Sequence, residues 1–461
     1  MRRSVAAMTS ERVDVVLGAG LAGLTAAYTL RELGERDWLV YEREARVGGH
    51  ARSVELDGYV FDFGPHILFA ADPEMAALIR DLLGDNLTAQ SRQAFIYHAE
   101  HDRYTRFPFQ AHLHGLPPAL VLDCLSGLVR AIERQARGEF RPRTYEDWMR
   151  GMFGDGIADR LMIPYARKVW TVEPAEMDFN WIGRRVPTPD VDRILMGALT
   201  DDVEQVGATA SFWYPQRGGI EALPRALGER VDDVQLGKEV ERIEVGRRRI
   251  AFADGERVSF DRMIYTLPLC HLPALVADLP GRVCEACRSL RYQGIFCVNL
   301  GVGRPGISDK HWVYFYEDGF PFHRLSFPAN FTPHNVPAGK SSISMEIAYS
   351  ERRPLERERM VEEAIEALRR AGILQPGDSI ELMHAEEILP AYVIYDLDHG
   401  RNVTLIRSWL AEHGILLAGR FGEWEYFNMD HAMASGRQAA RTAAAWRSGS
   451  ARRGARASRG R

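Results

Sequence analysis

The sequence predicts an α/β protein in which a strand–turn–helix core is assembled from separate stretches of chain and interrupted by a helical insert and an antiparallel sheet. Three observations predict it. An apolar run, "VDVVLGAG" from Val13, reaches glycine and passes directly into a periodic small-residue segment, "LAGLTAAYTLRELG". A second apolar run ending in glycine, "GILLAGR", stands near the other end of the chain, and between residues 290 and 350 apolar and polar positions alternate.

Taken in order, the first run is a strand, a tight glycine turn and a helix ending near Gly34, followed by a strand "WLVYE" that closes at Glu42. From about residue 90 to 200 the pattern is helical with loops; Val121, Leu125, Leu128 and Ile132, spaced 4, 3 and 4, line one helix face. "TYEDWMRGMFG" and "GIADRLMIPYARKVW" are further helices. "RIAFADGERVSF" places two strand runs around Asp254-Gly255, a hairpin signal, and "RMIYTLP" is a buried strand leaving it. The aromatic and β-branched residues of 290–350 suit an antiparallel sheet. A charged helix then carries Val361, Ile365 and Leu368 inward and stops at Gly372. From Met429 a last helix aligns Ala432, Gly436, Ala439 and Ala443, small enough for close packing on a sheet.

Size and composition bound the function. A chain of 461 residues with 46% hydrophobic content supplies the core of two or three structural units. A net charge of −5 gives no global support for nucleic acid or anionic membrane as a partner. No apolar run approaches the ~18 residues of a membrane span, and "MRRSVAAMTSERV" lacks the apolar centre of a secretory signal, so a cytoplasmic protein is expected. The five cysteines are irregularly spaced; Cys284 and Cys287 form a CxxC, but no second pair or nearby histidine completes a metal site, and packing thiols are expected. The tail "ARRGARASRGR", five arginines and no acid, reads as disordered, with a nucleic-acid arm as the sharper alternative.

The chemistry concentrates first in "GAGLAG". Gly18, Gly20 and Gly23 give G-x-G-x-x-G after a strand and at the start of a helix: one glycine for the turn, one for approach of a pyrophosphate, one for helix–sheet contact. The helix N-terminus then faces the phosphates. Glu42 follows Gly18 by 24 residues, at the end of the second strand, where a carboxylate binds ribose hydroxyls. FAD is preferred over NAD because Gly48-Gly49 makes a second close-approach loop. The late "LLAGRFGEWEYFNMDHAMASG" adds a glycine turn and a helix start for the far end of a long cofactor, and Val240, Gly419, Arg420 and Asn428 complete the expected cofactor contacts. The expected organisation is therefore a Rossmann-like FAD-binding domain in three parts (10–88, 206–275 and 405–447), a helical substrate domain (89–205), an antiparallel-sheet substrate domain (276–404) and the tail (448–461).

Several stretches together resemble one family. "FDFGPHILF", "FPFQAHLHGLP", "GIADRLMIPYARKVWTVEPAEMDFNWIGRRVPTPD", "SFWYPQRGGIEALP", "WVYFYEDGFPFHRLSFPANFTPHN" and "GRFGEWEYFNMDHAMASG" follow the order and spacing of the flavin-dependent UDP-galactopyranose mutases, the eukaryotic type more than the bacterial, from about Asp14 to Gln438. Flavin amine oxidases and protoporphyrinogen oxidases share the nucleotide motifs. The resemblance implies reduced FAD, primed by NAD(P)H or another reductant, whose N5 attacks the anomeric carbon of a nucleotide-diphosphate sugar and so interconverts pyranose and furanose. It implies diphosphate binding by Arg185 and Arg324, supported by hydroxyls of Tyr314, Tyr392 and Tyr426. It also implies His66 beside the flavin ring, Trp170 and Trp312 at the sugar or pocket wall, and Phe109 and Gln110 at the base.

The sequence departs from that pattern at the base pocket. Leu161 stands for the stacking phenylalanine, Ala166 for an asparagine at the uracil edge, and Thr209 for an asparagine near the substrate. Losing such contacts weakens uridine recognition by roughly 1 to 3 kcal/mol each, which leaves the nucleotide open, a deoxythymidine diphosphate 6-deoxyhexose among the alternatives. A true flavin oxidoreductase acting on a small molecule is the second reading, and a non-catalytic flavoprotein the third.

Overall fold

The computed structural model describes residues 13–69, 71–183, 191–201 and 211–458, with side chains to residue 446. Two seven-stranded sheets carry these residues. In the first, Val13–Leu17 runs parallel between Trp38–Tyr41 and Arg257–Tyr265, with Val15 opposite both Leu39 and Met263. Every residue of Val13–Leu17 is buried, which is why its sequence is continuously apolar rather than alternating. The exception, Asp14, is paired with Arg262. Ile415–Leu417 joins the same sheet alongside Met263–Tyr265, so both ends and the middle of the chain meet in it. The hairpin at Asp254-Gly255 and the buried strand after it are one continuous strand: Arg257–Tyr265 pairs antiparallel with Arg249–Phe252 at its start and parallel with Val13–Leu17 at its end.

The second sheet runs in the order Ile380–Ile394, Arg291–Val302, Ser341–Tyr349, Arg324–Ser326, Trp312–Phe315, Ala94–His98, Arg103–Arg106. It corrects two expectations. Ala94–His98 and Arg103–Arg106, read as part of a helical domain, are strands, because "AFIYH" buries four of its five residues between neighbours. And Ala94–His98 lies parallel to Trp312–Phe315, so the sheet is mixed, not purely antiparallel.

Helix Pro118–Ala136 also differs from the predicted stripe. Its buried residues are Cys124, Gly127, Leu128 and Ala131, while Ile132 is 37% exposed. A Cβ on Gly127 would stand 2.9 Å from the Gly156 nitrogen, so the crossing with helix Tyr145–Ile157 is made backbone to backbone and the contact line follows the glycine. Helix Arg357–Arg370 buries Ala364, Ala367 and Leu368 against the second sheet, with Val361 and Ile365 partly buried beside them.

The last helix, Met429–Ser458, packs on the first, Leu21–Glu32; a Cβ on Gly436 would fall 2.0 Å from the Ala22 carbonyl oxygen. That helix continues to Ser458, into the stretch expected to be a tail. Alanine and arginine are strong helix formers, and extending an existing helix avoids the cost of nucleation. No helix among the described residues is long and apolar enough to cross a membrane, and the five cysteines are free thiols.

Candidate active site

Two glycine loops touch at the end of the first sheet. Gly18 turns with φ of 97°, and a Cβ on Gly23 would lie 1.9 Å from the Gly18 carbonyl oxygen, so helix Leu21–Glu32 can rest on the turn only without a side chain there. The Gly48 N–H donates to the Ala19 carbonyl at 2.9 Å, and Gly49, at φ of 57°, faces Gly20. No side chain caps Gly20 and no acid stands in the first turn of the helix, which leaves its N-terminal N–H groups for an anion.

Glu42 closes the second strand, 7% exposed, and its carboxylate accepts from the Ala19 N–H at 2.8 Å and the Glu44 N–H at 3.0 Å. It therefore fixes the loop while its remaining lone pairs stay available to a hydroxyl. The Lys238 N–H donates to the Glu42 carbonyl at 2.7 Å, which brings Val240, at the head of strand Val240–Glu244, to the same corner. Arg52 Nε and Glu386 Oε1 are buried without a hydrogen-bond partner among the described residues. Glycine cradle, uncapped helix and unspent buried polar atoms fit an extended dinucleotide.

Around the far end of this cradle gather His50, His66, Phe63, Arg420 and Phe421. His66 Nδ1 lies 2.5 Å from the Gly64 carbonyl, which assigns its proton to Nδ1. Burial first, then the charges of Arg420 and Arg324, bring its pKa down to about 4, so the imidazole is neutral at pH 7 and poorly suited to keep a proton it receives. Gly419 turns with φ of 82° against Ala22, but its N–H donates to Ser435 Oγ at 2.8 Å. That amide serves the fold. Arg420 donates from Nε to the Phe427 carbonyl at 2.8 Å and from Nη1 to the Ala391 carbonyl at 3.1 Å. So fixed, its guanidinium stands 5.2 Å from the ring centres of both Tyr392 and Tyr426. Asn428 precedes the long helix and its N–H donates to His431 Nδ1 at 3.3 Å.

The other wall comes from the second sheet. In strand Ser341–Tyr349, Ile343, Met345 and Ile347 face the apolar cluster of helix Arg357–Arg370, whereas Ser342, Ser344 and Glu346 point the opposite way, equally buried. Arg324 stands opposite Tyr314 on one neighbouring strand and Glu346 on the other. Its Nε and Nη2 bind the two Glu346 oxygens in a fork, Nη2 at 2.7 Å. Glu346 is 3% exposed, so the pair is held rigidly. Nη1 makes no hydrogen bond to the described residues and is left for a ligand.

Aromatic rings complete this wall. Tyr392 stacks on Tyr426 at 5.4 Å, Trp170 meets each edge-on at 5.9 Å, and Trp181 meets Trp170 at 5.2 Å. Tyr165, from helix Ile163–Trp170, meets Tyr314 edge-on at 5.5 Å; burial first, then Tyr314, raises its hydroxyl pKa well above the usual phenol range, so it remains a donor. One turn further, the buried Lys168 Nζ donates to the Glu317 carbonyl at 2.7 Å, tying that helix to the turn between the Tyr314 and Arg324 strands. Tyr165, Trp181, Glu346 and His50 were not singled out in the sequence. For Glu346 a signal existed: "SSISMEIAY" alternates polar and apolar, and its polar side carries the lone acid.

Other expected contacts are packed closely among side chains. Trp312 is 5% exposed among Phe212, His311 and Phe331, and its Nε1 donates to the Tyr314 hydroxyl at 3.1 Å. Phe109, 2% exposed, packs with Ile96, Leu113, Phe153 and Leu161, and Gln110 is buried beside it. Arg185 and Thr209 lie outside the described residues.

The profile of the family described as flavin containing amine oxidoreductase matches residues 21–444. The chain belongs to this family. Its cofactor is FAD and it is a flavin-dependent enzyme. A coproporphyrinogen III oxidase of Mycobacterium tuberculosis (strain ATCC 25618 / H37Rv) is 28% identical over 301 residues, 60% of this chain and 63% of the relative. A phytoene dehydrogenase of Streptomyces griseus is 27% identical over 292 residues, 58% and 56% of the two chains. The chain thus spans less than two thirds of the length of these relatives. Among solved structures, a reduced UDP-galactopyranose mutase superposes with a TM-score of 0.87 at 28% identity, covering 93% of both chains. The relatives by sequence are oxidoreductases by name, whereas this solved structure is that of a mutase.

Proposed function

We propose that this chain is a flavin-dependent mutase that interconverts pyranose and furanose forms of a nucleotide-diphosphate sugar. The observation that carries the reading is Arg324, locked by Glu346 with Nη1 uncommitted, beside Tyr314 and Tyr392, on which Tyr426 stacks. A fixed guanidinium flanked by phenols suits a diphosphate that must leave and return in one place.

Reduced flavin, when bound, supplies an electron-rich nucleophile for the anomeric carbon. The chain's own groups do the rest. Arg324 and, in this reading, Arg185 hold the departing diphosphate, and the phenols of Tyr314, Tyr392 and Tyr426 donate to its oxygens. Trp170 and Trp181 close the side of the pocket to water, which would otherwise divert the sugar to hydrolysis. His66 keeps its Nδ1 proton on the Gly64 carbonyl and presents Nε2 as a neutral acceptor. NAD(P)H or another reductant is needed only to prime the flavin. Leu161 and Ala166, both buried, leave the base without the expected partners, so the carrier nucleotide stays open.

The test is to reduce the holoenzyme with dithionite, add a panel of nucleotide hexoses and 6-deoxyhexoses, and trap with cyanoborohydride for mass spectrometry. A flavin–sugar mass and a furanose product are expected. Unchanged sugars across the panel would sink the reading. A second reading, an oxidoreductase acting on a small molecule, is favoured by the two curated relatives; it requires oxygen or an acceptor consumed in proportion to product, where the mutase consumes none.

A further inference from the structure

Helix Pro118–Ala136 carries two apolar faces, and the fold covers one of them. Cys124, Gly127, Leu128 and Ala131 are buried. Pro118, Leu122, Leu125, Val129, Ile132 and Ala136 form a second line, spaced 4, 3, 4, 3 and 4, in which every residue but the half-buried Leu125 is exposed. Leu122 is 66% exposed and Val129 53%. Helix Val191–Leu199, whose Ala198 packs against the same cluster as Leu125, leaves Leu195, Met196 and Leu199 exposed as well. A single exposed leucine needs no explanation. A line that runs about 27 Å along a helix at heptad spacing is the seam on which another helix packs.

The spacing of the line specifies its partner. It reads the same in both directions, so a second copy laid antiparallel, with the two-fold axis level with Gly127, sets Leu122 opposite Ile132 of the partner subunit. Leu125 then meets Val129 of the partner subunit, and no charged residue stands in the line. Along its flank, Arg134 is matched by Asp155 at 3.7 Å and Arg137 by Glu133 at 3.9 Å, whereas Arg130 makes no ion pair among the described residues. The same axis brings Arg130 to the rim that holds Asp123 of the partner subunit, opposite in sign and one residue out of level. A flank on which acids and bases alternate suits an anionic membrane poorly, because such a surface selects a cationic one.

We propose that helix Pro118–Ala136 is the contact of a two-fold homodimer, its exposed apolar line packed antiparallel on the same line of a second copy. The inference goes beyond the sugar reading and holds equally for an oxidoreductase, because it concerns a surface that neither reaction uses.

The test is sedimentation velocity on the full-length FAD-loaded protein across the micromolar range. The wild type is expected to sediment at twice the chain mass. Leu122→Glu combined with Val129→Glu puts charge into the line and is expected to weaken self-association roughly 100-fold or more, since the axis counts each substitution twice, leaving single chains. Leu33→Glu, at a leucine 50% exposed beyond helix Leu21–Glu32, is the control and should stay a dimer. Arg130→Glu alone is expected to weaken the dimer roughly 5-fold, and Asp123→Arg added to it to restore the wild-type constant. If the double glutamate variant is not folded by circular dichroism, Leu122→Ser with Val129→Ser takes its place. A wild type that sediments as one chain throughout would overturn the proposal, as would a dimer that survives the substitutions in the line or an Asp123→Arg change that restores nothing. Phospholipid vesicles that carry down a protein of single-chain mass would make a membrane the occupant instead. No readout involves turnover, so failure here is distinct from failure of the mutase reading.

Discussion

The cradle built by Gly18, Gly23, Gly48 and Gly49 and the wall built by Arg324, Glu346, Tyr314, Tyr392 and Tyr426 lie in one enzyme but are made by opposite means. The cradle works by the absence of side chains: its segments approach so closely that an added Cβ meets backbone at 1.9 Å at Gly23 and 3.1 Å at Gly49. The wall works by side chains that converge from strands far apart in sequence and restrain one another, guanidinium to carboxylate and ring to ring. The first kind of site fails as a unit when one atom is added. The second loses function in steps, because one restraint can be removed while the others persist.

The sharpest way to break the comparison is within the cradle itself. Gly23→Val adds atoms where there is no space, and helix Leu21–Glu32 must lift from the strand; overpacking of this kind costs about 3 kcal/mol or more, and a purified protein devoid of flavin absorbance is expected. Gly20→Ala is the control. Its nearest neighbour would be Gly49 Cα at 3.7 Å, so the melting temperature should stay within a few degrees of wild type while FAD affinity falls, since the new methyl stands where phosphate approaches. Equal destabilisation by the two would show that the glycines serve packing alone.

In the wall, Arg324→Met strands the Glu346 carboxylate, 3% exposed, without a counter-ion, for a loss of about 3 to 5 kcal/mol in the urea-derived stability. Adding Glu346→Gln should return most of that loss but none of the affinity for a diphosphate, measured by calorimetry with a nucleoside diphosphate. Recovery of both would mean that Arg324 serves only the fold.

How much of each region was legible follows from how it is built. Gly18, Gly20, Gly23 and Glu42 are close in sequence and their spacing encodes their geometry, so the cradle could be read directly. Arg324 and Tyr314 were legible through their resemblance to a known pattern, and alternation along "WVYF" put Trp312 and Tyr314 on one face. Their partners were not. Tyr165 looks like any aromatic in a helix, and its contact with Tyr314 depends on a helix-to-sheet docking that no local pattern encodes. Ala94–His98 was taken into a helical region because its partner strand, Trp312–Phe315, lies more than two hundred residues away. Phe109 matched its motif, yet the cluster with Leu161 encloses its ring, a fact set by packing volume rather than by residue type.

A pH experiment distinguishes the two regions again. His66 has a folded pKa of about 4 against 6.5 in the unfolded chain. Above pH 6.5 both states are neutral and no stability is lost; between 6.5 and about 4 only the unfolded chain takes up the proton, and stability falls with pH. Apoprotein carrying His66→Asn should therefore keep, at pH 4 to 5, up to roughly 3 kcal/mol that wild type loses relative to pH 7. Parallel urea midpoints for the two from pH 7 down to 4 would show that His66 is protonated on the folded chain as easily as off it.

The smallest effect on stability is expected from Lys168→Met, and it tests whether the wall is positioned as well as held. The lost bond to the Glu317 carbonyl, 2.7 Å long, is offset by no longer burying an amine whose pKa burial first, then Arg353, brings down to about 7. The balance should lie within about 1 kcal/mol of wild type. Yet Lys168 is the tie between helix Ile163–Trp170 and the turn joining the Tyr314 and Arg324 strands, so Tyr165 and Trp170 lose their fixed distance to those residues. A weaker dissociation constant for nucleoside diphosphate, with melting temperature and flavin content unchanged, is the expected signature, and Lys168→Arg should recover part of it by reaching the same carbonyl. An unchanged dissociation constant would mean that the aromatic packing of Trp170 alone keeps the helix in register, and that side-chain restraints in this wall are redundant as well as separable.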